Sequence, residues 1–142
     1  MSRRDAREKL IQALYQHEFH TEDEAGSIIP EDWLAGLGER DRRFYKQMLE
    51  GVAREQHAVD ALLSASLQGW SLGRLNAVDR AILRLGVYEL CYVEDIPAAV
   101  TINEAVELAK LFSTDKSARY INGVLSDVRR TQTNKTGEKA GE

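Results

Sequence analysis

Two histidines and a glutamate near the N-terminus are the first side chains whose spacing could support chemistry. His17 and His20 stand three residues apart with Glu18 between them, so a helix could present all three to a metal ion. A zinc-protease helix instead needs histidines four residues apart within H-E-x-x-H, and His-Glu-Phe-His does not provide that spacing. Because no third ligand is evident, surface or partly buried histidines are the favoured interpretation, and no metal is expected.

A second candidate is the segment 69–73, which reads G-W-S-L-G and matches the nucleophile elbow of a hydrolase. That motif needs a strand before the serine and a catalytic histidine later in the chain. All three histidines precede Ser71 and no strand is credible before it, so the match is accidental. Cys91 has no activating neighbour, which favours an inert thiol over a nucleophile. The sequence predicts no catalytic residue and, without a glycine-rich phosphate loop, no cofactor.

Arginines at the start of the chain indicate a different chemistry, the binding of phosphate groups. Arg3 and Arg7 stand four residues apart with Arg4 beside them, so a helix would gather them into a stripe over its first two turns. Tyr15 lies two turns beyond Arg7 and could stack on a base, and arginine with aromatic rings is a common means of holding single-stranded RNA. A helix N-terminus disfavours cations, so the presence of arginines there indicates that they bind a ligand. Periodicity alone makes Tyr15 more typical of a core position.

Composition determines what kind of protein must position these residues. A chain of 142 residues with 43% hydrophobic and 30% charged content is typical of one compact globular domain. The N-terminus lacks the apolar core of a signal peptide, and no apolar run approaches the roughly 18 residues of a membrane span, which predicts a cytoplasmic protein. The net charge of −4 combines −6 over residues 21–41 with +2 over the rest. An acidic average therefore does not exclude RNA binding.

Hydrophobic spacing is helical along the chain, and no strands are expected. Ser2 and Asp5 resemble a capping box, which predicts a helix beginning at about residue 3. Residues 21–39 are predicted to form an acidic loop with a short helical piece that begins at Pro30. One long helix is predicted from about residue 41 to 65.

The C-terminal half carries a clearer helical pattern. A helix is predicted from about residue 78 to 94, and the next one is predicted to begin with a capping box formed by Thr101 and Glu104. In the last helix, close approach of another helix would explain Gly123. Residues 131–142 are almost entirely polar and predict a disordered tail, because they cannot bury enough apolar surface to offset ordering.

Several blocks in this half carry a family resemblance. Residues 83–90 read L-R-L-G-V-Y-E-L, residues 102–110 read I-N-E-A-V-E-L-A-K, and residues 122–125 read N-G-V-L. Together with Q-A-L-Y at residues 12–15, these blocks closely resemble the bacterial transcription antitermination factor family NusB. The resemblance implies an all-α fold, with two small helical bundles packed into one compact NusB-like RNA-binding domain over residues 1–130.

The same resemblance implies a non-catalytic function in transcription. It implies binding of the boxA element of ribosomal RNA transcripts together with a small-subunit ribosomal protein, NusE, and read-through of terminators by RNA polymerase. It also implies Asp79 and Arg80 as residues of the ribosomal-protein interface. Two departures bear on RNA affinity, because Asp5 interrupts a run of arginines and Lys116 replaces an acidic residue of some members. The positions carried over for RNA binding are Arg3, Arg4, Arg7, Gln12, Tyr15, Lys116 and Tyr120.

Other functions stay open at the level of sequence. A helical protein–protein module without an RNA role could use Asp79, Arg80 and the acidic residues 21–41. The same fold occurs as the N-terminal domain of some ribosomal RNA methyltransferases, which would require a cofactor-binding domain after residue 142. A homodimer formed through the basic surface is equally compatible with the sequence.

Overall fold

The computed structural model describes residues 2–18, 31–67 and 71–136, and all regular structure within these ranges is helical. The all-α prediction is therefore confirmed for the described part of the chain. Short 3₁₀ turns lie at Glu31–Leu34 and at Leu72–Arg74. The chain divides into two compact units, Met1–Arg54 and Glu55–Glu142. The α-helices of the described ranges are α1 (Arg3–His17), α2 (Glu39–Arg54), α3 (Gln56–Ser66), α4 (Ala77–Tyr92), α5 (Ala98–Phe112) and α6 (Asp115–Thr136).

The first helix begins with the predicted capping box. The backbone N–H of Asp5 donates to Ser2 Oγ at 3.3 Å, and the backbone N–H of Ser2 donates to Asp5 Oδ2 at 2.5 Å. The backbone N–H and the hydroxyl of Ser2 both donate to Asp5 Oδ2, and these two hydrogen bonds lower the pKa of Asp5 because they stabilise its ionised form. Asp5 therefore has a structural reason to stand among the arginines.

The first unit is built on the packing of α1 against α2. Leu10 and Ile11 of α1 and Met48 and Val52 of α2 are buried. Their spacing places one apolar stripe on each helix, and burial of both stripes stabilises the pair. The helical piece predicted after Pro30 is the 3₁₀ turn at Glu31–Leu34, and residues 21–30 lie outside the described ranges.

The prediction of a single long helix from residue 41 to 65 is wrong, because the helix is interrupted at Glu55. Glu55 has φ −99° and ψ 12°, outside the helical range. α2 packs on α1 in the first unit, whereas α3 packs on α4 and α6 in the second. α2 therefore packs in the core of the first unit and α3 in the core of the second. A continuous hydrophobic pattern in the sequence does not distinguish the two cores.

The second unit contains α3 to α6, with α4 in contact with the other three helices. Gly86 marks a close approach of α4 to α6, where an added Cβ would lie 2.8 Å from Cδ1 of Leu125 on α6. Leu125 is fully buried, so its side chain has little room to move away. Gly86 is therefore required by packing. The buried apolar residues of α4 to α6 are Ala81, Ile82, Leu83, Leu85, Val87, Tyr88, Leu90, Ala105, Leu108, Ala109, Ala118, Ile121, Val124, Leu125 and Val128.

Gly86→Ala is expected to lower the free energy of unfolding by about 1–3 kcal/mol, the usual cost of overpacking. Urea denaturation of the intact chain measures this change. Leu125→Ala opens the space that the new methyl group needs, so the double variant should lose less than the sum of the two single losses. Gly73→Ala is the matched control, since an added Cβ there meets nothing within 4 Å. Additive losses at residues 86 and 125 would contradict the steric explanation.

The capping box predicted at Thr101 and Glu104 is also wrong. α5 begins at Ala98, directly after Pro97, so Thr101 lies inside the helix. Thr101 Oγ1 donates to Glu89 Oε1 of α4 at 3.1 Å, and both residues are 2% exposed. The hydroxyl therefore serves a buried contact between helices, which local spacing alone does not distinguish from a cap.

The last helix differs from prediction at two places. α6 continues to Thr136, into the segment that composition predicts to be disordered, because extending an existing helix fixes only one residue per hydrogen bond. Residues 137–142 lie outside the described ranges. Gly123 is exposed, and an added Cβ would meet nothing within 4 Å, so the expected helix packing at this glycine is wrong. Glycine inside an exposed helix costs about 1 kcal/mol relative to alanine.

Candidate nucleic-acid interface

Arg3 is held in place by two residues of α2. Its Nε donates to Asp41 Oδ1 at 2.8 Å, and its Cζ lies 4.2 Å from the centroid of the Phe44 ring. The side chain remains 39% exposed, and its two terminal nitrogens have no partner among the described residues. An ordered guanidinium with open donors is well suited to a phosphate, although Asp41 offsets part of its charge.

Arg7 lies against the same ring but is buried. Its Cζ is 5.2 Å from the centroid of Phe44, and the residue is only 4% exposed. A buried charge must be compensated inside the protein, and a ring face contributes to that compensation. Arg7 therefore stabilises the contact between α1 and α2 and offers almost no surface to a ligand.

The accessible pair on α1 is Arg4 and Tyr15. Both side chains are exposed. Tyr15 is 40% exposed, so its ring lies on the surface and not in the core that periodicity favours. They stand eleven positions apart, so at about 100° and 1.5 Å per residue they lie about 20° apart around the helix and about 16 Å apart along it. Arg7 and Tyr15 differ by about 80° by the same measure. Gln12 is half-buried beside this face.

Sequence reasoning missed Asp41 and Phe44 as partners of the arginines. Arg3 and Asp41 are 38 residues apart, so no local spacing links them. The only available signal was the position of Phe44 in the apolar pattern of α2, which predicts burial and does not identify a ring that faces two cations. Lys9 shows the same arrangement, with its Nζ 4.2 Å from the centroid of the Trp33 ring.

In the second unit, Asp79 is a buried link between α4 and α6. It is 6% exposed, and its Oδ2 accepts from Ser117 Oγ at 2.7 Å and from Asn76 Nδ2 at 3.1 Å. Its backbone N–H donates to Asn76 Oδ1 at 2.8 Å, which caps the start of α4. Asp79 thus presents little surface to a partner protein.

Tyr120 and Lys116 lie near the start of α6 in different surroundings. Tyr120 is half-buried, and burial together with the Asp79 carboxylate raises the pKa of its phenol. Its hydroxyl is buried without a hydrogen-bond partner among the described residues. Lys116 is exposed. Only Lys116 of these two residues is fully available to a phosphate.

Arg80 and Arg84 of α4 both make structural contacts. Arg80 Nη1 donates to the carbonyl oxygens of Leu72 at 3.1 Å and Leu75 at 2.7 Å, which holds the 3₁₀ turn before α4. Arg84 donates to both carboxylate oxygens of Asp60 on α3, at 2.8 and 3.0 Å. Paired donors on one carboxylate hold α3 to α4 firmly.

No cluster of three or more His, Cys, Asp or Glu residues suited to a metal ion occurs in residues 2–18, 31–67 and 71–136. His20 of the histidine pair lies outside those ranges. No helix within the same ranges is both long and apolar enough to cross a membrane. The arrangement in each unit is suited to binding a ligand that carries phosphate groups. Cations and a ring are exposed on α1, and a cation is exposed at the start of α6.

Comparison with known proteins places these features in a family. The profile of the NusB family matches residues 4–130. The transcription antitermination protein NusB of Bacillus velezensis is 46% identical over 131 residues, covering 91% of this chain and 96% of that protein. The structure of T. maritima NusB aligns with a TM-score of 0.79 at 35% identity, over 92% of both chains. A crystal structure of antitermination factors NusB and NusE with double-stranded RNA aligns with a TM-score of 0.79 at 24% identity, over 91% of this chain and 96% of that one.

Proposed function

The chain belongs to the NusB family, and on that premise we propose that it is a non-catalytic RNA-binding adaptor in transcription antitermination. It binds a single-stranded boxA element in ribosomal RNA transcripts together with the ribosomal protein NusE. As part of the antitermination complex on RNA polymerase, it promotes read-through of terminators. This role places it in the cytoplasm.

The exposed face of α1 is the observation that carries this proposal. Arg4 and Tyr15 share that face, so one can contact a phosphate while the other stacks on a base. Arg3 supplies a second cation that Asp41 and Phe44 hold in place. Gln12 is positioned to donate or accept a hydrogen bond at the edge of this face.

Further residues have proposed roles within their own units. Lys116 binds a phosphate, and Tyr120 lines the surface beside it with its hydroxyl turned inward. Arg7 acts indirectly, by holding Phe44 and the α1–α2 contact on which Arg3 depends. Asp79 and Arg80 support NusE binding by ordering the start of α4.

Arg4→Ala is expected to weaken binding of a boxA RNA several-fold, because one phosphate contact is lost. The slope of log affinity against log salt should become shallower by about 0.7, the value for one phosphate on a single strand. A fluorescence anisotropy titration over a salt series measures both quantities. Arg43→Ala is the control, since Arg43 is an exposed arginine of the same unit that pairs with Glu39 at 3.1 Å.

An unchanged affinity and slope in Arg4→Ala would remove the support for RNA binding by α1. Binding of NusE without any RNA binding would instead favour the protein–protein module. A homodimer through the basic surface predicts that RNA and self-association compete, so gel filtration with and without RNA distinguishes the two uses of that surface.

A further inference from the structure

Gly123 occupies an exposed position in the middle of α6 that nothing in the described chain explains. An added Cβ would meet no atom within 4 Å, whereas the same addition at Gly86 would collide with Leu125. Exposed helical positions ordinarily favour alanine or longer side chains over glycine. A glycine that packing does not require leaves the backbone of α6 open to close approach from outside.

A groove between α5 and α6 lies next to this open backbone. Its volume is about 450 Å³. Val106 and the buried Ala118 give it an apolar wall, and Asn122, the neighbour of Gly123, supplies an amide at its edge. Lys110, Asp115 and Arg119 are its other lining residues. Apolar walls with one amide are suited to a planar ring with polar edges, such as a nucleobase.

The charges around the groove favour a polyanion. Lys110, Lys116 and Arg119 are exposed, and Asp115 is the one acid that lines the groove. Arg119 has no partner among the described residues, and Lys110 approaches Glu107 only to 3.9 Å. The spacing of residues 116, 119 and 123 places two cations and the glycine along one side of α6.

We propose that a single-stranded RNA crosses α6 at Gly123 and seats one base in the α5–α6 groove. Lys116 and Arg119 bind the flanking phosphates, and the amide of Asn122 meets the edge of the seated base. The absence of a side chain at residue 123 lets the strand lie directly on the helix backbone. This inference rests on the proposed RNA-binding function and extends it from Lys116 to Lys110, Arg119, Asn122 and Gly123.

Gly123→Gln is expected to weaken boxA RNA binding at least about ten-fold, because the new side chain occupies the path of the strand and prevents seating of a base. Its thermal unfolding midpoint should equal or exceed that of the unaltered chain, since glutamine is the better helix former. Gly73→Gln, at another exposed glycine with open space around it, should leave RNA affinity unchanged. Gly123→Ala should raise the unfolding midpoint with a smaller loss of affinity.

Arg119→Ala tests the same site by removing one positive charge. It should weaken RNA binding several-fold and make the salt slope shallower by about 0.7, whereas Arg129→Ala, at another exposed arginine of α6, should leave both unchanged. Wild-type affinity in both Gly123→Gln and Arg119→Ala would overturn the groove site. If Arg4→Ala still weakens RNA binding in that case, the proposed function stands without the groove.

Two further results would also overturn the inference. Loss of NusE binding by Gly123→Gln with RNA affinity intact would identify this face as a protein-docking surface. Failure of the unaltered chain to bind boxA RNA at all, alone or with NusE, would reject the proposed function and the groove site together.

Discussion

Replacing Phe44 with alanine is expected to lower the free energy of unfolding by about 3–5 kcal/mol, the usual cost of removing a buried ring. The residue is 6% exposed, and its ring lies against both Arg3 and Arg7. Removing it opens a cavity between α1 and α2 and takes away a ring face that contributes to compensating the buried guanidinium of Arg7. Urea denaturation followed by circular dichroism measures the loss.

Phe44→Leu separates the effect of the aromatic ring face from the effect of side-chain volume. Leucine keeps most of the apolar packing, so the expected loss of stability falls to about 1–2 kcal/mol, close to the value of the lost cation–π contacts. RNA affinity should still fall, because Arg3 loses the surface that orders it. A Phe44→Ala loss below about 1 kcal/mol would show that the ring does not anchor the arginines.

Asp79→Ala is expected to lower the free energy of unfolding by about 2–4 kcal/mol, because hydrogen bonds to a charged group contribute more than neutral ones. The carboxylate accepts from Ser117 of α6 and from Asn76 before α4, so its loss uncouples the starts of two helices. Ser117→Ala removes only one of these bonds and should cost about 1–2 kcal/mol. Thermal and urea unfolding of the two variants provide the comparison.

Asp79→Asn provides a second readout at the same site. The negative charge of Asp79 contributes to the raised pKa of Tyr120, although burial is the larger cause. Removing the charge should therefore lower the pKa of Tyr120 without returning it to the value of a free phenol. An alkaline absorbance titration with Tyr120→Phe as the reference follows this phenol. An unchanged pKa would show that the two side chains do not interact.

Burial changes the interpretation of two family positions. The family resemblance implies that Arg7 contacts RNA and that Asp79 contacts a partner protein, whereas each is buried within its own unit. Loss of binding in their variants can therefore arise from loss of structure. The side chains of Arg4, Lys116 and Arg119 are exposed, so their variants should lose little stability and a binding defect there reports on the ligand. Stability and affinity should accordingly be measured together for every variant.

The sequence by itself determined the helical class, the family and the cap of the first helix. Ser2 and Asp5 form the predicted capping box because both partners lie within one turn at the start of the helix, whereas Thr101 and Glu104 have the same spacing but lie inside theirs. The apolar stripes of α1 and α2 were equally readable, since each residue of a stripe repeats at helical intervals. The basic start of the chain was visible for the same reason.

Only the tertiary structure decided which of these residues a ligand can reach. Arg3, Arg4 and Arg7 are nearly equivalent in sequence, yet Arg7 is buried, Arg3 is held by Asp41, and Arg4 is exposed. These differences arise from α2, whose residues stand far along the chain from α1. Helical periodicity describes one helix at a time, whereas exposure and charge compensation depend on the helix packed against it. For that reason Phe44 and the open backbone at Gly123 became evident only in the folded protein.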